Sequence, residues 1–320
     1  MIWILMGLVG LMRRIGLMGP RGPIGLMGSR GLIGLMGSRG LGSVIKFWQG
    51  SLRLVPVRIL PMGLVLVGLL VGGQVCSADP LEDLLEATFR IADREHSGTC
   101  FLISPKTPDP AHPRRVILAT AAHVLEQMVE HQCELVLRTQ ALDLTFVRKP
   151  TMIPLREGDR RLWVRHPTID LATLVVDLPE GVVFKPIPFD QVADENRLND
   201  RTVRVGRETW VPCYPAKLEA NDAGWAVLRK GSIASHPLIP LKSTPTMMVD
   251  YPAFGGDSGA PVAMIVNDRV FVVGIVLGMH RQTDRAVLPF EEITIHTPLG
   301  LAIAAQAPLL LNTIELLTQK

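Results

Sequence analysis

Phe254-Gly255-Gly256-Asp257-Ser258-Gly259-Ala260-Pro261 sets a single serine among glycines, between two apolar runs. Glycine on both sides of a serine implies a backbone that side chains would obstruct, exposing the hydroxyl and aiming neighbouring amides at one point. A hydroxyl is a poor nucleophile until a base takes its proton, and an imidazole base needs a carboxylate to fix its tautomer. Both partners stand upstream, in Ala119-Thr120-Ala121-Ala122-His123 and in His166-Pro167-Thr168-Ile169-Asp170-Leu171-Ala172. Alone, a histidine after a strand or an aspartate before one is ordinary structural material. In the order His, Asp, Ser, with these flanks, the three form a constellation.

That order and those flanks resemble the trypsin/chymotrypsin-like serine proteases, over about Ser97 to Pro298. The resemblance includes Gly98-Thr99-Cys100-Phe101-Leu102-Ile103 ahead of the histidine and Val273-Gly274-Ile275-Val276 after the serine. It implies an all-β fold, two perpendicular six-stranded barrels with the site between them, here with a short N-terminal helix and a C-terminal helix. The first barrel would carry His123 and Asp170, the second Ser258. Ser258 would attack the scissile carbonyl, His123 would take and return its proton, and Asp170 would orient His123. The amides of Gly256 and Ser258 would hold the oxyanion, with no cofactor and no metal required.

Three departures qualify the resemblance. No Ile-Val-Gly-Gly-type start follows a basic cleavage site, so Asp257 either needs a partner other than a new N-terminal amine or stays solvated. Leu277 stands where many relatives have a serine supporting the aspartate. Val124 follows His123 where animal relatives have cysteine. The chain is closer to exported bacterial members of the HtrA type, which usually carry Asn where Asp257 stands. The position flooring the primary pocket falls near Tyr251-Pro252, neither acidic, so Pro252, Leu277, Gly278 and Met279 are the expected substrate-binding residues. A small or medium apolar side chain is the expected preference, with substrate adding as a strand along residues 277 to 279. The rival reading is a trypsin-fold peptide-binding protein whose catalysis is weak or lost. An esterase elbow is excluded by pattern, since Gly256-Asp257-Ser258-Gly259-Ala260 ends in alanine.

Residues 7 to 42 repeat a nine-residue unit, with glycine at every third position from Gly16 to Gly40. This is either a short collagen-like stalk or a tandem repeat translated from a start set too far upstream, with Met62 as an alternative first residue. Residues 1–58 are expected to pack no core. Lys46, Arg53 and Arg58 precede an uncharged run, and small residues Ser77-Ala78 end it. Residues 59–78 therefore read as an export signal, or as a membrane anchor if uncleaved. Residues 79–320 would be the protease domain, periplasmic or secreted, with membrane contact only in the anchored case.

The net charge of +3 on 320 residues is small, and only two tyrosines are present. With no basic stripe interleaved with aromatics, nucleic acid is not an expected partner; protein or peptide substrates are. The four cysteines, Cys76, Cys100, Cys133 and Cys213, lack C-x-x-C spacing and allow at most one bridge in the exported part. Asp79-Pro80-Leu81-Glu82 starts a helix, and Leu81, Leu84, Leu85 and Phe89 extend its periodicity to about Ala92. Short strands are expected at 98–104, 115–120, 134–138, 144–148, 161–164, 171–176, 202–205, 225–228, 247–250, 260–266 and 269–277. Pro298 to Leu317 is apolar at helical spacing and reads as a C-terminal helix.

Overall fold

The computed structural model describes residues 79–288 and 291–319. The glycine repeat, the export signal and Cys76 lie outside the described residues. Asp79 accepts from the Leu81 amide at 2.8 Å and caps a helix at Pro80–Glu86. That helix is shorter than its apolar spacing suggests. The Thr88 hydroxyl donates to the Leu84 carbonyl at 2.8 Å, and the chain then leaves as a strand whose Phe89 and Ile91 fill a core rather than a helix face. β-branched Thr88 and Ile91 favour that outcome.

Ten strands follow in the N-terminal half: β1 Thr88–Ala92, β2 Ser97–Ile103, β3 Arg115–Ala121, β4 Gln132–Gln140, β5 Phe146–Pro154, β6 Arg156–Glu157, β7 Arg160–Arg161, β8 Val164–Arg165, β9 Leu171–Asp177 and β10 Val182–Val183. Eight of them form one sheet in the order β10-β4-β1-β2-β3-β9-β8, with β5 on β4. It folds around its own core of Phe89, Leu102, Leu118, Leu125, Leu135 and Trp163.

The C-terminal half has β11 Glu208–Cys213, β12 Val227–Ile233, β13 Thr246–Asp250, β14 Pro261–Val266, β15 Arg269–Leu288 and β16 Glu291–Gln306. These close into a six-stranded barrel, β11-β12-β13-β16-β15-β14, filled by residues such as Val211, Val249, Val262, Ile275 and Ala304. The architecture is thus all-β, with short helical segments and a final helix at Ala307–Thr318.

Two further expectations fail locally. Residues 202–205 form no strand, because Arg201 is left-handed and Asp200 ties the Thr202 amide into a turn. Residues 298–306 are strand, not helix. Ala302, Ala304 and Ala305 are fully buried and paired to β13 on one side and β15 on the other. The strand's other face carries half-buried but apolar Leu301 and Ile303, so no polar alternation betrays it; Pro308, in the first turn, marks where the helix begins. Cys100, Cys133 and Cys213 are buried and free, so among the described residues there is no disulfide.

Candidate active site

Strand register brings the first pair together. In the β3–β9 ladder Ala121 lies opposite Leu171. The chain therefore enters the helix Ala122–Gln127 beside the residue just before β9, and Ala122 donates to the Asp170 carbonyl at 3.2 Å. Asp170 accepts twice from one residue: the His123 amide at 2.8 Å and the ring Nδ1 at 2.5 Å. Burial works to raise the Asp170 pKa, but these bonds and the adjacent imidazole hold it below the usual carboxylate range. The Asp170 turn is itself built on His166. Buried and neutral, His166 accepts at Nδ1 from the amides of Thr168 and Ile169 at 3.2 and 3.1 Å; burial, then the Arg165 charge, lowers its pKa.

Ser258 sits between β13 and β14, in a turn clamped by the other half of the molecule. Thr99 of β2 donates its amide to the Ser258 carbonyl at 2.9 Å and its hydroxyl to the Gly256 carbonyl at 2.8 Å. Gly259 donates to Val276 at 2.7 Å. Its φ of +89° and a would-be Cβ only 2.0 Å from the Thr99 carbonyl exclude any side chain.

The amide directions follow from peptide planarity. Gly255 turns its carbonyl to the Ala216 amide at 2.6 Å, and Asp257 turns its own to Ala260 at 2.9 Å. In a trans peptide the following N–H points the opposite way. The Gly256 and Ser258 amides therefore point away from those bonds. Gly256 reaches this geometry at φ +99°, where a Cβ would stand 2.3 Å from the Tyr214 carbonyl. Its neighbour across the contact is strained too: Ala216 and Lys217 are both left-handed, at φ 50° and 67°.

His123, Gly256, Ser258, Leu277, Gly278 and Met279 line one cavity of about 530 Å³, a size suited to a ligand. Pro252 is exposed and outside that lining. Ser258 Oγ donates to the Leu277 carbonyl at 3.3 Å, so the nucleophile candidate rests on β15 rather than on the imidazole. Leu277 packs against both cores, which gives it a role as a joint where a serine support was absent. Among the described residues, no group of His, Cys, Asp and Glu side chains is arranged to hold a metal ion.

Asp257 is buried and accepts from the Phe254 amide at 2.9 Å. The cation facing it is Arg229 of β12, 4.0 Å away and lying over the Tyr251 and Phe254 rings. Burial raises the Asp257 pKa, with the Phe254 amide and the Arg229 charge opposing. The sequence offered no sign of Arg229, Thr99 or His166 in these roles, nor of Glu95, His96, Lys217 and Arg281 on the cavity wall. The left-handed pair at 216–217 carried no signal either, because alanine and lysine are not residue types that favour a positive φ.

No protein-family model matches the chain, and no curated protein matches it. Among solved structures it is similar to Rv3671c from M. tuberculosis H37Rv in an inactive mutant form, with 18% identity and a TM-score of 0.42 over 76% of this chain and 93% of that one. A second structure, of the Rv3671c protease in an inactive form, gives 20% identity and a TM-score of 0.42 over 75% of this chain and 93% of that one.

Proposed function

We infer that the chain is a serine endopeptidase. Ser258 attacks the peptide carbonyl, and His123 takes its proton and hands it to the leaving amine. Asp170 holds the ring and stabilises its charged form, and the Gly256 and Ser258 amides receive the oxyanion. One observation carries the reading: the His123 ring, bonded to Asp170 at 2.5 Å, shares a cavity with Ser258. In the resting state Ser258 Oγ must leave Leu277 for His123, a rotation about one side-chain bond.

Residues 277–279 offer main-chain groups to an extended peptide, and Met279 narrows the pocket toward small or medium apolar side chains. Export fits the uncharged run at 59–78, with protein or peptide substrates outside the cytoplasm. Among the described residues no helix is long and apolar enough to cross a membrane, and contact with one would come only from an uncleaved 59–78.

The competing reading, a peptide-binding protein without catalysis, draws on the same Ser258–Leu277 hydrogen bond, since a hydroxyl parked on a carbonyl is not activated. A fluorophosphonate probe separates the two. Labelling of the wild type and none of Ser258→Ala supports the endopeptidase; equal silence of both supports the binding protein. Cleavage mapping on a mixed peptide library then tests the pocket, and cuts dominated by Arg or Lys would refute the apolar preference.

A further inference from the structure

β14 leaves β15 at the Pro261–Ile275 pair, and β13 leaves β16 at the Asp250–Leu301 pair. Beyond the barrel, β15 and β16 continue paired from Arg281–Pro298 to Leu288–Glu291, with no third strand among the described residues. The result is a two-stranded ribbon with residues 281–287 and 292–299 all exposed. Val287, Ile295 and Leu299 are among them, at 80%, 50% and 52% exposure. Eight paired positions at about 3.4 Å each make the ribbon roughly 27 Å long. A two-stranded ribbon is marginal on its own in water, and its unpaired edges are templates for another strand.

The two edges differ. On β16 the edge is broken: Pro298 has no N–H, and the register slips across 299–301, where Gly300 is left-handed at φ 75°. On β15 the open edge holds no proline from Leu277 to Val287. It starts at the carbonyl that Ser258 Oγ touches and passes Gly278, Met279 and Arg281, all on the cavity wall. Irregularities at Leu277 and His280 turn the strand where it leaves the barrel, as bulges do beside sites.

We propose that the β15 edge from Leu277 to Val287 is an extended docking strand for the polypeptide that precedes the cleavage site. This rests on the endopeptidase reading and adds to it the substrate class: extended or unfolded polypeptide rather than short peptides. Antiparallel pairing, the stronger kind, runs the residues before the scissile bond from Leu277 out along the ribbon. A substrate strand on this edge completes a three-stranded sheet.

The test measures binding of labelled peptides to the full chain carrying Ser258→Ala, alongside cleavage by the wild type. Peptides with about four and about twelve residues before the cleavage site sample the cavity alone and the whole edge. Affinity should rise at least tenfold with length. The gain should vanish when alternate amides of the distal segment are N-methylated, and also when residues 282–297 are replaced by an Asn-Gly turn, with short-peptide cleavage unchanged. Equal affinity for both lengths overturns the proposal, and equal cleavage of both would then leave the endopeptidase standing without it. Length-dependent binding with no cleavage by the wild type would sink the endopeptidase and keep the docking edge. If the shortened variant turns a dimer into a monomer while the length dependence survives, the edge serves a second copy and the proposal fails.

Discussion

Ser258 Oγ and the Leu277 carbonyl, 3.3 Å apart, are hydrogen-bonded, and the same carbonyl begins the edge on which a substrate strand would pair. One acceptor thus has two claimants. The oxygen has two lone pairs, but a peptide amide donating to it competes with the 3.3 Å bond from the serine hydroxyl and loosens it, favouring the turn to His123. Substrate binding and nucleophile release are then one event.

The expected consequence is kinetic. A fluorophosphonate carrying a peptide, whose main-chain N–H reaches Leu277, should label Ser258 at least tenfold faster than a plain alkyl fluorophosphonate of similar reactivity. The second-order inactivation rate constants measure this. Equal rates would mean the Leu277 hydrogen bond does not hold the hydroxyl back.

His123, Asp170 and Ser258 could be singled out as candidates because nucleophilic chemistry restricts residue type and the glycines restrict backbone. The barrel strands were legible where one face is wet. β16 was not, because Ala302, Ala304 and Ala305 are buried and the half-buried positions between and before them, Leu301 and Ile303, are apolar too, so the strand shows no polar alternation and looks like a helix. Thr99, His166 and Arg229 were invisible for a different reason. Each acts through a partner distant in sequence or through a single lone pair, and threonine, histidine and arginine are common enough to carry no signal until the fold sets the distance.

Asp170→Asn should lower kcat by roughly 10³–10⁴-fold with KM little changed, because the amide cannot hold Nδ1–H and stabilise the charged ring as the carboxylate does. Asn can still accept from the His123 amide, so the thermal midpoint should move little. A large fall in melting temperature instead would mark Asp170 as chiefly structural.

The two buried titrating groups beside the site push stability in opposite directions with pH. His166 has a lowered pKa and accepts through its neutral Nδ1. Its contribution is complete above the ordinary histidine value of about 6.5 and is lost as pH falls through the lower folded value. Asp257 has a raised pKa. Its contribution is complete below the ordinary aspartate value of about 3.9 and is lost as pH rises through the higher folded value. His166→Asn, which keeps an acceptor without titrating, should flatten the acid-side fall in melting temperature. Asp257→Asn should gain most over wild type at neutral pH and converge with it near pH ~4. Parallel curves for wild type and either variant would exclude that residue as a source of the slope.

Two glycines on the cavity wall should respond to alanine in contrary ways. At Gly256 the methyl would stand 2.3 Å from the Tyr214 carbonyl at a φ of +99°. The peptide that aims the Gly256 amide must therefore shift, and Gly256→Ala should lose both melting temperature and nearly all fluorophosphonate labelling. At Gly278 the methyl meets nothing within 4 Å, so Gly278→Ala should keep or slightly raise the melting temperature through a stiffer unfolded chain. The empty space there is where a peptide strand would lie beside Leu277 and Met279. KM for peptides should rise about tenfold or more, as a misfitted contact costs, while labelling by a small alkyl fluorophosphonate stays near wild type. An unchanged KM would mean that substrate does not run past residue 278, and the strand pairing along 277–279 would have to be abandoned.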